Sequence, residues 1–322
     1  MKYRELGSTG LKVSVLGLGT SNFGKRLDLA ASASVLGAAI DVGINFIDTA
    51  DMYGKEIPAE EILGRVLLGR RNEVIVATKF GFNRTDGQVR SGLGTRRSVT
   101  TAVENSLRRL RTDYIDLYQM HYPDPVTPVE ETLDCLTQLQ NEGKIRAIGC
   151  ANFSVDELHR AVEVSRTGGK TEFASVQCEY SLLNREAATQ TFPACAELGT
   201  AALPYFVLGR GMLTGKYPQG QPAPAGSRLA GRRSGAVLTS RNFEVVVALG
   251  RFAAERGLTM LEVALGGVLS YEVVTAALVG ATSPVQITEL AASVRWKPTA
   301  GQLRSLHQAV DSSAPSDTAS GG

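Results

Sequence analysis

Four residues of the chain have types and neighbours that suit proton chemistry. Asp48 and Tyr53 fall in Asp48-Thr49-Ala50-Asp51-Met52-Tyr53-Gly54, directly after the apolar run Phe46-Ile47. Lys79 ends Val74-Ile75-Val76-Ala77-Thr78-Lys79, and His121 follows Tyr118-Gln119-Met120. Each stands near the carboxyl end of a short β-rich run. A tyrosine of ordinary pKa, about 10, is a weak acid. A lysine cation beside it favours the phenolate and brings that pKa toward working pH. An aspartate holds such a lysine and offsets the cost of burying it. A neutral histidine can hydrogen-bond a carbonyl oxygen and orient it. The set polarises and protonates a carbonyl and contains neither a nucleophile–base pair nor a metal ligand cluster. A carbonyl given a proton also needs a hydride, which no side chain supplies and a nicotinamide would. Singly, each residue has a plainer reading: a flanking lysine, an aspartate capping a turn, a packed tyrosine, a core histidine. Their convergence on neighbouring strand ends is what speaks for chemistry.

That convergence requires parallel strands. Eight β-rich runs are predicted at 15–19, 45–48, 74–79, 115–120, 147–150, 175–178, 201–205 and 275–279. Amphipathic helical stretches separate them: 31–42, 98–110, one opening at Thr127-Pro128-Val129-Glu130 with proline at the first helical position, one opening at Asn152, and 191–198, 243–254 and 261–269. Eight alternations give an α/β fold, a (β/α)₈ TIM barrel, with an N-terminal β-hairpin around Gly7-Ser8-Thr9-Gly10 and an extra C-terminal helix at 299–311. A doubly wound sheet would need a Gly-rich dinucleotide turn, but Gly17-Leu18-Gly19-Thr20-Ser21-Asn22 has asparagine where the third glycine belongs. Gly211-Met212-Leu213-Thr214-Gly215-Lys216-Tyr217 is one residue short of a Walker A loop. The expectation is one domain over 1–311 and a disordered tail over 312–322.

Composition excludes several function classes. The 322 residues carry 34 Lys+Arg against 32 Asp+Glu, a net charge of +2, without a basic block for nucleic acid. No apolar run reaches the ~20 residues of a membrane span. The N-terminus lacks the apolar region of a signal peptide. Four scattered cysteines and three histidines match neither a disulfide framework nor a metal site, which suits a reducing cytoplasm.

From the hairpin to about Asp311 the sequence resembles the aldo-keto reductase superfamily, in the bacterial branch related to potassium-channel β-subunits. The resemblance rests on Arg4-Glu5-Leu6-Gly7-Ser8-Thr9-Gly10-Leu11-Lys12-Val13-Ser14, on residues 43–54, on Ala77-Thr78-Lys79, on His121 with residues 125–133, and on Gly143-Lys144-Ile145-Arg146-Ala147-Ile148-Gly149. It implies a catalytic tetrad: Tyr53 as general acid, Lys79 as modulator of its pKa, Asp48 as anchor and His121 as substrate orienter. It also implies NADP(H) as cofactor, with NAD(H) as the alternative. The cofactor residues implied are Gly19, Thr20, Asn152, Gln177, Tyr205, Leu208, Gly211, Lys216, Gly280, Thr282, Ser283, Gln286 and Glu289. Ala151, Phe206 and Leu290 depart from the family pattern.

The expected partner is a small-molecule carbonyl or alcohol, with a homo-oligomer left open. Phe23, Phe82 and Tyr122 are candidate walls of its pocket. Two long connections, 81–97 and 206–239, are basic; the second holds Arg210, Lys216, Arg228, Arg232 and Arg233 and no acid in 34 residues. That surplus is compatible with an anionic or sugar-type carbonyl as well as with a solvated loop. The alternative reading is a cofactor-binding regulatory scaffold resembling potassium-channel β-subunits.

Overall fold

The computed structural model describes residues 1–82, 84–85, 88–89, 91–230 and 235–312. The expected disordered tail, apart from Ser312, and Arg90, Arg232 and Arg233 lie outside the described residues.

A hairpin of β1 (Tyr3–Glu5) and β2 (Lys12–Ser14) precedes the barrel. The chain then runs β3 (Leu16–Gly19), α1 (Leu29–Asp41), β4 (Phe46–Asp48), α2 (Ala59–Val66) and β5 (Ile75–Phe80). A two-residue ribbon, β6 (Arg84–Thr85) with β7 (Gln88–Val89), sits inside the expected long loop. After it come α3 (Arg96–Leu110), β8 (Ile115–Met120), α4 (Val129–Asn141), β9 (Ile145–Ala151), α5 (Val155–Gly168) and β10 (Ser175–Glu179). The remainder is α6 (Glu186–Thr189), α7 (Thr191–Leu198), β11 (Ala201–Tyr205), α8 (Ser240–Ala254), α9 (Met260–Leu269), β12 (Ala277–Val279), α10 (Pro284–Ala292) and α11 (Ala300–Asp311).

All eight expected strands form, and every pairing is parallel, in the order β11-β10-β9-β8-β5-β4-β3-β12. An Ala202–Val274 bridge joins the two ends, with Ala202 N–H donating to Val273 O at 2.8 Å, so the sheet closes as a (β/α)₈ barrel. Side-chain alternation divides the strands between two cores. Val76, Phe80, Tyr118 and Ile148 face the helices. Phe46, Ala77, Leu117, Ala147, Leu203 and Leu278 fill the barrel interior, closed from below by Leu6 and Val13 of the hairpin region.

Three helix starts differ from expectation. Pro128 caps α4 instead of occupying its first turn, because the Thr127 hydroxyl is taken by Asp124 at 2.7 Å. Thr95, not Ser98, caps α3. Ser154, with Glu157 in a reciprocal capping box, starts α5 two residues after Asn152. The missed helix α2 is tied to its neighbours by Glu60. That buried carboxylate accepts from Thr78 Oγ1 at 2.5 Å and from Arg109 Nε at 2.6 Å.

Candidate active site

One step of two residues along the strands turns the apolar interior layer polar. Above Phe46, Ala77 and Leu117 stand Asp48, Lys79 and Gln119, at the carboxyl mouth of the barrel. Lys79 and Gln119 are register partners on adjacent strands. The Lys79 ammonium is fully buried; it donates to Asp48 Oδ2 at 2.7 Å and to Thr49 O at 2.9 Å. Asp48 Oδ1 accepts from Gln177 Nε2 at 2.9 Å and Gln119 Nε2 at 3.2 Å. The carboxylate is thus held from β5, β8 and β10 at once. Gln119 was missed by sequence reasoning. Its signal is its place two residues beyond Leu117 on the inward face.

Tyr53 comes from the β4–α2 loop. The turn after it needs Gly54, at φ 102°, since a Cβ there would stand 2.3 Å from Ile57 O. The Lys79 ammonium lies 5.2 Å from the centre of the Tyr53 ring. His121 meets the same ring edge-on at 6.1 Å. The structure therefore brings Asp48, Tyr53, Lys79 and His121 together.

The electrostatics set burial against the expected pull of Lys79. Burial raises the Tyr53 pKa above its ordinary value; Lys79 pulls it down without overcoming burial, and Asp48 adds to the rise. Burial likewise pulls the Lys79 pKa down, but Asp48 and Tyr53 more than offset it, leaving a firmly charged ammonium. His121 is pushed down to about 3, by burial first and by Lys79 second, so the imidazole is neutral. Its Nδ1 is buried without a hydrogen-bond partner.

Phe82 and Tyr122 flank His121, with ring centres at 5.3 and 5.4 Å. Phe23 is fully buried and packs in the core against the helices. A cavity of about 290 Å³ opens between Asp51, Met52, Phe82 and the start of α3. Asp51 was also missed. Burial first, then the Glu60 charge, raises its carboxyl to about 7, and its Oδ1 is unpartnered.

The residues expected at a cofactor lie around the same mouth. Gln177 gives its amide nitrogen to Asp48, and its Oε1 accepts no hydrogen bond among the described residues, which leaves an acceptor for a carboxamide. Asn152 is more committed. Its Nδ2 donates to His121 O at 3.0 Å and its Oδ1 accepts from the Tyr205 hydroxyl at 2.7 Å. Gly19 ends β3 and Thr20 follows it, its hydroxyl donating to Asp48 O. A Cβ on Gly280 would meet only Asn22 at 3.7 Å and Gly19 O at 3.9 Å, so the backbone there is open to a ligand. After β11, Leu208 O accepts from Gly211 and Leu213, and a Cβ on Gly211 would meet Lys216 Nζ at 3.0 Å. Ser283 caps α10, where Gln286 Oε1 takes the Thr282 N–H at 2.8 Å; Glu289 is exposed on the same helix. Helix N-termini with glycine-lined backbone suit phosphates, and an uncommitted acceptor suits a carboxamide, so these residues fit a nicotinamide dinucleotide.

All four cysteines are free and buried. Among the described residues no cluster suits a metal ion, and no helix is long and apolar enough to cross a membrane.

Comparison with known proteins points the same way. The family model for the aldo/keto reductase family matches residues 15–311. The chain is 39% identical over 227 residues to aldo-keto reductase YhdN of Bacillus subtilis, covering 68% of this chain and 66% of that one. It is 32% identical over 300 residues to L-glyceraldehyde 3-phosphate reductase of Escherichia coli, covering 90% and 86%. Among solved structures, the holo form of aldo-keto reductase AKR11C1 from Bacillus halodurans superposes with a TM-score of 0.78 at 28% identity, covering 98% of this chain and 96% of that one.

Proposed function

The chain belongs to the aldo/keto reductase family of oxidoreductases, and from that premise we propose that it interconverts a carbonyl and an alcohol with NADP(H), with Tyr53 as the proton donor. The observation that carries this is the buried Lys79–Asp48 pair beside Tyr53 and a neutral His121. When bound, the nicotinamide supplies or accepts the hydride. Tyr53 gives its phenolic proton to the carbonyl oxygen as the carbon becomes an alcohol carbon. The adjacent Lys79 charge stabilises the phenolate left behind. Asp48, fixed by two glutamine amides, keeps Lys79 charged in a site that burial would otherwise neutralise. His121 cannot act as an acid near neutral pH, so its part is to orient the oxygen through a neutral N–H. The phosphates belong at Lys216 and at the start of α10, with Thr282, Ser283 and Gln286 toward the adenosine end. Phe82 and Tyr122 wall the substrate side. Free buried cysteines suit a cytoplasmic setting.

Arg210 and Arg228 both lie over the Phe206 ring, at 3.7 and 4.7 Å, and Arg228 is close enough to Tyr53 to act on its ionisation. Of the two, Arg210 is paired to Glu179 at 3.2 Å and Arg228 has no ion pair among the described residues, so Arg228 is the cation this reading assigns to the substrate side. This favours an anionic carbonyl, and the relative from Escherichia coli is named for a phosphorylated aldehyde.

The test is turnover of 4-nitrobenzaldehyde with NADPH and with NADH, for the wild type and Tyr53→Phe. Loss of activity in Tyr53→Phe supports the reading; a fully active variant overturns it. Tight NADPH binding without turnover favours the regulatory alternative. For the substrate class, kcat/KM for an anionic carbonyl should fall in Arg228→Ala while that for a neutral one holds.

A further inference from the structure

At the opposite end of the barrel an open groove of about 900 Å³ runs between the segments that enter β5 and β8. We propose that it is a second binding site, for the phosphoryl group of a phosphorylated small molecule. Its lining includes three arginines, Arg71, Arg108 and Arg111, against two acids, Glu104 and Asp113. The pairing among them is uneven. Arg71 is locked to Asp116 at 2.6 Å, and Glu104 is taken by Lys144 at 2.7 Å. Arg108 reaches only the Asn105 side chain, at 2.8 Å, and Arg111 has no ion pair among the described residues. Among the described residues, two guanidinium groups without an ion pair thus share the lining with one carboxylate without one, Asp113.

The floor is cross-linked. Tyr114 packs against two guanidinium groups, Arg71 at 4.3 Å and Arg146 at 4.0 Å from its ring centre. Both arginines share the buried Asp116 carboxylate, with Arg146 at 2.9 Å. Arg71 also donates to Val74 O and Tyr114 O, which leaves its buried Nε–H without an acceptor. Arg111 holds the left-handed conformation, φ 53°, where glycine or asparagine is easier to accommodate. An arginine at that position places a fork-shaped donor at the lip. Guanidinium forks match phosphate oxygens in pairs. The size of the groove suits a metabolite larger than the phosphoryl group itself. The barrel base lies away from the reacting residues, so occupation there would not compete with the substrate.

The experiment is calorimetric titration with inorganic phosphate at constant ionic strength. Wild type and Lys216→Ala, which is altered at the opposite mouth, should both show saturable binding. Arg108→Gln combined with Arg111→Asn, the latter chosen because asparagine tolerates the left-handed conformation, should weaken it about tenfold or more. Asp113→Asn should tighten it, which a purely structural role for these residues does not predict. Absence of saturable binding in the wild type overturns the proposal. So does unchanged affinity in the double arginine variant. Loss in Lys216→Ala with retention in the arginine variant would place the phosphate at the other mouth and also refute it.

Discussion

Lys79 reaches across from β5 to Asp48 at the end of β4, 2.7 Å between charged atoms, with neither side chain more than 5% exposed. A buried pair of this kind is costly to break and of little net value to stability when intact. Lys79→Met and Asp48→Asn should therefore each destabilise the fold by about 3–5 kcal/mol, because each leaves one buried charge without its partner. The double variant should recover a large part of that loss. Activity should not recover, since the cation beside Tyr53 is gone; kcat/KM should stay down by about 10²–10⁴-fold. Urea unfolding and steady-state kinetics on the four members of the cycle separate the two effects. Additive destabilisation in the double variant would show that the two charges do not depend on each other.

The neutrality of His121 makes a prediction about pH. Its pKa falls from 6.5 to about 3, by burial and by repulsion from Lys79. Between those values the unfolded chain holds a proton that the folded chain does not, so stability is lost as pH falls through this window. NMR titration should find the His121 ring neutral down to pH 5. The pH profile of kcat/KM should show no ionisation attributable to it near 6.5. His121→Gln should remove part of the acid sensitivity of folding. A normal His121 titration midpoint would contradict the buried, lysine-facing geometry.

The eight strands, and the convergence of Asp48, Tyr53, Lys79 and His121 at one mouth, were legible because both follow from short-range pattern at strand ends. A continuous, β-branched apolar run marks Val74 to Lys79 as a strand, and a charged residue at its end stands out. Helix starts were less legible, because Thr95, Ser98, Asn152 and Ser154 are all capping types and only tertiary contacts select among them. The net direction of the Tyr53 shift was not legible for a similar reason. The neighbouring lysine is visible in the sequence, whereas the burial that outweighs it depends on how the β4–α2 loop packs. Gln119 escaped because an amide inside a strand carries no chemical signal until Asp48 is seen beside it.

Gln119 itself is testable as a positioning residue. It donates to the same carboxylate oxygen as Gln177, at 3.2 Å against 2.9 Å. Gln119→Leu should leave the fold intact, remove one of the donors that fix Asp48, and lower kcat by about tenfold, roughly the effect of one lost hydrogen bond. Its KM for carbonyl substrate should change little. The alkaline limb of the pH profile should move, because Asp48 holds Lys79 and Lys79 acts on Tyr53. A change in KM alone, with an unmoved profile, would assign Gln119 to substrate binding instead.

Asp51 carries the last prediction, one of stability. Burial and the Glu60 carboxylate raise its pKa from 3.8 to about 7, with Arg109 offsetting only part. Between those values the folded chain keeps a proton that the unfolded chain has released. Stability contributed by this site is therefore complete at low pH and declines as pH rises toward 7. Above that, the folded state carries a carboxylate whose Oδ1 has no partner. Asp51→Asn should raise stability by about 2 kcal/mol at pH 8, a value below the full linkage figure because Asp51 keeps some contact with solvent. At pH 4 the same substitution should have little effect, since the wild-type carboxyl is already neutral there in the folded state. Urea midpoints at the two pH values decide the matter. A variant equally stabilised at both would trace the gain to packing in the adjoining cavity, and one destabilised at pH 8 would mean that the ionised carboxylate has a partner in solution.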